Sequence, residues 1–144
     1  MIEASADALV KASPEELFAF VSDGTNEPRW HTDVLAVKPL TQGQPRLGSS
    51  YSWTLNFMGK RESIMEIVEF EPDRMEQLVA RKGPMGLKPT ITYEFAPDAG
   101  GTRFTRRVQM QPSGLSVLMT PMMRSMVPKR NAEFVKNLAA LFDR

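Results

Sequence analysis

From Asp33 to about Gln111 the chain keeps a period of two, and this constrains the fold more than any other feature. Its clearest stretch sets Tyr51, Trp53, Leu55 and Phe57, preceded by Leu47, against Ser50, Ser52, Thr54 and Asn56. Successive side chains of an extended chain point to opposite faces, so this pattern describes a strand with one covered and one wet face. Turn chemistry punctuates the region at Gln42-Gly43-Gln44-Pro45, Met58-Gly59-Lys60, Glu71-Pro72-Asp73, Gly83-Pro84-Met85-Gly86 and Pro97-Asp98-Ala99-Gly100-Gly101. The segments between them, 34–40, 47–57, 61–70, 74–81, a strand through Ile91, Tyr93 and Phe95, and 102–111, read as six strands. Connections this short produce an antiparallel meander.

Helical elements flank the meander. Residues 2–12 alternate as a first strand, with Ile2, Ala4, Ala6, Ala8 and Val10 on one side. Ser13 then offers a side-chain cap, Pro14 suits the first helical position, and Glu15 and Glu16 complement the positive end of the dipole. A helix is predicted there, burying Leu17, Phe18 and Val21 and ending at Asp23-Gly24. Asn26-Glu27-Pro28 begins a second short helix through Trp30 and His31. At the other end, apolar residues from Leu115 to Phe142 fall at steps of three and four, which fits one long helix of up to about 40 Å. Pro121 is suited to open that helix after a short one, whereas Pro128 is expected to kink it.

At 144 residues the chain has the length of one ordinary domain, 1–144. No apolar run approaches the roughly 20 residues that span a bilayer, and the N-terminus carries no leader pattern, so a cytoplasmic protein without an integral membrane segment is expected. The absence of cysteine removes disulfides, thiol catalysis and zinc–thiolate sites. A net charge of +1 conceals an asymmetry: residues 101–144 carry eight basic side chains against two acidic ones, while residues 1–100 carry ten against fifteen. Nucleic acid is not the expected partner, because no aromatic residues interleave with the basic ones. A solvated helix face and an exposed strand face explain them.

The inventory for chemistry is short. There is no GxSxG, HExxH, GxGxxG or phosphate-binding loop, and a lone histidine without thiols argues against a metal site. His31 follows Trp30 by about 100° on a helix and is expected at a rim or in solvent, with no nameable partner to activate it. Arg106 is more informative, since it shares strand parity with Phe104, Val108 and Met110 and so falls on the apolar side. A buried arginine needs a carboxylate or a ligand anion. Glu66 shares parity with Ile64, Val68 and Phe70 and is the expected partner, although Met65 and Ile67 leave the inward face of that strand open.

The ordered set SPEELFAFVSD, NEPRW, RLGSSYSW, VEFEPDR and GGTRFTRRVQMQPSG resembles the START-like superfamily, closest to its polyketide cyclase/dehydrase (SRPBCC) branch. The resemblance covers nearly the whole chain. It implies an α+β helix-grip fold: a curved, seven-stranded antiparallel sheet around the long C-terminal helix, with two short helices after strand one. It also implies an apolar cavity for a small hydrophobic molecule, with Trp30 packed near the mouth. Pockets of this kind usually enclose roughly 300 to 1,000 Å³. The expected lining comprises the helix methionines Met119, Met122, Met123 and Met126, with Tyr51, Trp53, Leu55, Phe57, Ile91, Tyr93, Phe95, Phe104 and Met110 on the strands. Trp30, Glu66 and Arg106 complete it. The leading expectation is a cofactor-free binding protein, monomeric or homodimeric. The alternatives are a cyclase, dehydratase or hydrolase using Tyr51, Tyr93, Arg106, Glu66 or His31, and an adaptor that docks through a sheet edge or the basic helix.

Overall fold

The computed structural model describes residues 1–143. Seven strands form one antiparallel sheet: β1 (Ile2–Val10), β2 (Val34–Pro39), β3 (Ser50–Asn56), β4 (Lys60–Glu71), β5 (Met75–Lys82), β6 (Thr90–Asp98) and β7 (Gly101–Met110). Their order is β1-β7-β6-β5-β4-β3-β2, so the meander is intact and the first strand closes onto the last. The sheet curls into a half-barrel. Bulges in β2 and β4 contribute to the bend, because an extra residue on one strand kinks it and increases the local twist.

Helix α1 (Pro14–Ser22) begins as the sequence predicts, with the Ser13 hydroxyl accepting from the Glu16 N–H at 3.1 Å. It buries Leu17, Phe18 and Val21, and Phe18 meets Phe95 and Phe70 edge-on at 5.1 and 5.2 Å. The second short helix is a 3-10 segment, Gly24–Arg29, which starts earlier and ends earlier than the spacing predicts. Its entry is tight: a Cβ on Gly24 would lie 2.9 Å from the Tyr51 ring. Trp30 leaves the helix with φ −132° and is fully buried, edge-on to Tyr93 and Phe104.

The C-terminal third has a 3-10 segment, Gly114–Met119, followed by α2 (Thr120–Leu141), about 33 Å long. Pro121 lies at the start of α2, as expected. The helix continues through Pro128, whose position is exposed, so the carbonyl it cannot bond is on the solvent side. Leu115 and Leu118 belong to the 3-10 segment and are exposed rather than part of a buried helical stripe. α2 packs chiefly against β1 and buries Met123, Asn131, Phe134, Val135 and Leu138. Among the described residues no helix is long and apolar enough to cross a membrane.

Candidate functional site

Where α2 faces the concave side of the sheet, the two do not close completely. A cavity of about 150 Å³ remains, mostly apolar in its lining. β3, β4, β6 and β7 contribute Leu55, Met65, Ile91, Val108 and Met110, and the residue after β3 contributes Phe57. α2 supplies Met123, Met126, Val127 and Phe134, and the β5–β6 connection supplies Pro84, Leu87 and Pro89. The volume lies below the range expected for this kind of pocket.

The polar lining is concentrated in His31, Trp53, Ser63, Arg106 and Asn131, all buried, with the half-buried Asp33 and Arg130. Asp33 and Arg130 form an ion pair that ties the segment before β2 to α2. Arg106 donates to Asn131 Oδ1 at 2.6 Å, and Asn131 Nδ2 donates back to the Arg106 carbonyl at 3.1 Å. The guanidinium lies over the Phe134 and Tyr93 rings at 5.4 and 5.9 Å.

Behind it stands Glu27, 2% exposed. A single carboxylate oxygen, Oε2, accepts from Tyr93 Oη at 2.6 Å and from His31 Nδ1 at 2.9 Å. Burial first, and then the Arg106 charge, hold the His31 pKa below its usual 6.5, against the opposing pull of Glu27 and Asp33. The ring is therefore neutral at pH 7. Its Nδ1 carries the proton donated to Glu27, and Nε2 keeps its lone pair. Arg106 Nη2 stands 3.5 Å from Nδ1, donor against donor, so this contact is not a hydrogen bond in that tautomer. Two buried donors of cavity-lining side chains, Arg106 Nε and Trp53 Nε1, have no acceptor.

This arrangement sits in a recognisable frame. The profile of the family described as "Polyketide cyclase / dehydrase and lipid transport" matches residues 1–143. The chain belongs to that family. A START superfamily protein from Mycobacterium smegmatis is similar in structure, with 17% identity, a TM-score of 0.79 and coverage of 97% of this chain and 96% of that one. A protein of Thermus thermophilus gives 16% identity, a TM-score of 0.80 and coverage of 96% and 94%. The di-domain ARO/CYC StfQ of the steffimycin biosynthetic pathway gives 12% identity and a TM-score of 0.76, with 98% of this chain covering 50% of that one. At these identities the likeness establishes the fold. No curated protein matches the sequence.

Within this polyketide cyclase / dehydrase fold, the residues singled out by sequence divide into those on the cavity and those elsewhere. Trp53, Leu55, Phe57, Ile91, Arg106, Met110, Met123 and Met126 line it. Trp30, Tyr93, Phe95 and Phe104 form the aromatic core behind it. Tyr51 faces a second cleft, about 400 Å³, between α1 and the β2–β3 connection. Met119 packs in a satellite cluster with Ile2, Leu87 and Met123, and Met122 is 44% exposed. The four methionines therefore do not share one face, because Met119 precedes α2 and Met122 lies about 100° round from Met123.

Two sequence expectations are corrected. Glu66 does not meet Arg106; it lies on the outer face and pairs with Arg81 at 3.1 Å. The bulge between Ile67 and Glu69 switches parity along β4, so Met65 and Ile67 point inward before it although Phe70 packs inward after it. His31 is 6% exposed, not at a rim, because the chain leaves the 3-10 helix before reaching it. Glu27 and Asn131, which sequence reasoning missed, supply the partners. Glu27 lies four residues before His31, and Asn131 lies at helical spacing between Val127 and Phe134. Those spacings were the available signals. Among the described residues no group of three or more acidic, histidine or cysteine side chains could hold a metal ion.

Glu76 is a further buried acid, 2% exposed, aligned with Leu78 and Ala80 on the inner face of β5. Burial, and then the nearby Glu27 charge, push its pKa well above the usual 4.5. A carboxyl raised in the folded state binds a proton that the unfolded chain releases, so stability falls as pH rises from about 4.5 through the folded pKa. Glu76→Gln removes this loss. At pH 7 the variant is expected to gain at least about 1 kcal/mol, or about 3 °C in Tm, and at pH 4 to match the parent. Thermal melts at both pH values test this; an equal difference at the two would contradict the assignment.

Proposed function

We propose that residues 1–144 act as one ligand-binding unit that takes a small, largely apolar molecule into the cavity between the sheet and α2. One observation carries this reading: a mostly apolar cavity between the sheet and α2 ends on a polar cluster of His31, Arg106 and Asn131. The walls favour apolar matter, and Met123 and Met126 adapt to its shape. The family's description, which includes lipid transport, supports the same reading. Native mass spectrometry and displacement of a hydrophobic dye are expected to report one-to-one uptake, reduced at least tenfold by Ile91→Trp, which fills the cavity. Equal uptake by that variant would place the bound molecule elsewhere.

The Glu27–His31 pair favours a second reading. A carboxylate orients the imidazole, His31 Nε2 is left as a base, and Arg106 offers a cation to a developing oxyanion. That set suits proton transfer next to a carbonyl, and the family's description and StfQ both include cyclases. Turnover of a screened carbonyl substrate that disappears in His31→Gln, with ligand uptake kept, would favour the enzyme.

A further inference from the structure

We infer that the β3–β4 turn, the β5–β6 connection and the 3-10 segment before α2 together form a docking face for a membrane surface rich in anionic lipid, with Met58 and Met85 as the side chains that enter the bilayer. The inference goes beyond the binding reading and does not depend on what the cavity takes up.

The three segments meet in space. Phe57, Leu87 and Met119, one from each, pack with Met123 in the satellite cluster. Their neighbours along the chain stay outside: Met58, Met85, Leu115, Val117, Leu118 and, at the start of α2, Met122 are exposed, Leu118 by 81% and Leu115 by 75%. These are half of the large apolar side chains exposed among the described residues, so the face is a patch rather than a scatter. Backbone geometry singles out two of them. Met58 and Met85 have φ of 54° and 55°, and each precedes a glycine with positive φ, Gly59 at 103° and Gly86 at 79°. That left-handed conformation favours Asn or Gly, so a methionine there costs folding energy, and its side chain joins neither apolar cluster in return. The same choice at two turn tips is explained by a partner outside the chain that takes up an apolar side chain.

Charge identifies the partner. Segments 56–61, 82–90 and 110–129 each contain two basic side chains and no acidic one. Of these six cations, Lys82 alone has an acidic partner among the described residues, Glu62 at 3.3 Å. Lys60 follows Met58, Lys88 follows Met85, and Met122 and Arg124 flank the buried Met123 on either side of α2; the three cations are exposed. Like charge opposes a second copy of the chain on this face. A bilayer interface supplies apolar depth for the methionines and negative headgroups for the cations around them, and it asks no shape complementarity of three separate segments.

The test is co-sedimentation of the full chain with phosphatidylcholine vesicles, pure or containing about a quarter phosphatidylglycerol. Partitioning is expected to be at least about tenfold stronger on the anionic vesicles and to weaken as salt rises from about 0.1 to about 0.5 M. Met58→Asn combined with Met85→Asn places a residue that accepts the left-handed turn at both tips, so Tm is expected not to fall while partitioning drops at least about tenfold. Lys60→Gln, Lys88→Gln and Arg124→Gln together should remove the preference for anionic vesicles, since each cation contributes about fivefold. Leu47→Asn, on the β2–β3 connection and as exposed as Met58, should change nothing. Equal partitioning on the two vesicles, or undiminished partitioning of the methionine variant, overturns the inference. No partitioning at all overturns it and leaves the face to an acidic protein. Self-association that the methionine variant abolishes, without vesicle binding, overturns it in favour of a second copy.

Discussion

Glu27→Ala is expected to lower the unfolding free energy by about 3 to 5 kcal/mol, a large share of the 5 to 15 kcal/mol typical of a folded protein. The magnitude follows from what one oxygen does. Glu27 Oε2 accepts from both Tyr93 and His31, and its charge offsets that of the buried Arg106. Removing it leaves two buried donors without an acceptor and a buried cation without a counter-charge. Glu27→Gln keeps one acceptor oxygen and fills the same space, so its loss is expected to be smaller. Because the cost arises largely from the stranded cation, adding Arg106→Met to Glu27→Gln is expected to recover part of it. Urea unfolding of the four members of this cycle measures the coupling. A Glu27→Ala protein as stable as the parent would show that the cluster carries no weight.

Trp30→Ala is expected to cost about 3 to 5 kcal/mol and to lower Tm by about 10 °C. Trp30 is fully buried, its ring meets Tyr93 at 5.5 Å and Phe104 at 5.9 Å, and its carbonyl accepts from Asn137 of α2 at 3.2 Å. Truncation opens a void among rigid aromatic neighbours that cannot collapse to fill it. Trp30→Phe is expected to lose much less. It keeps most of the ring contact and removes Nε1, a buried donor without a partner. Calorimetric melts of both variants check this, and equal losses in the two would mean that the indole is held by something other than packing.

The parts of this fold that repeat were legible in the sequence. The alternation through Tyr51 and Trp53 identified β3, Ser13-Pro14 identified the start of α1, and strand parity alone put Arg106 on the inward face, where it lies. Legibility failed where a local irregularity interrupts the period. One extra residue in β4 reversed the face on which Glu66 was expected. A 3-10 helix ending at Arg29, rather than an α-helix reaching His31, turned a supposed rim residue into a buried one. Glu76 was legible in principle, since it alternates with Leu78 and Ala80, but a charged residue on an inner face contradicts the usual polarity rule. The exposure of Met122 was hidden for another reason: periodicity locates a helical stripe only to within about one residue, and the helix begins later than the apolar run.

The two sides of α2 are secured by different physics. Toward β1 it rests on packed apolar side chains, which added salt leaves nearly unchanged; toward β2 the tie includes the half-exposed Arg130–Asp33 pair, which mobile ions weaken. Added salt is therefore expected to weaken the hold on the β2 flank of α2 more than on the β1 flank.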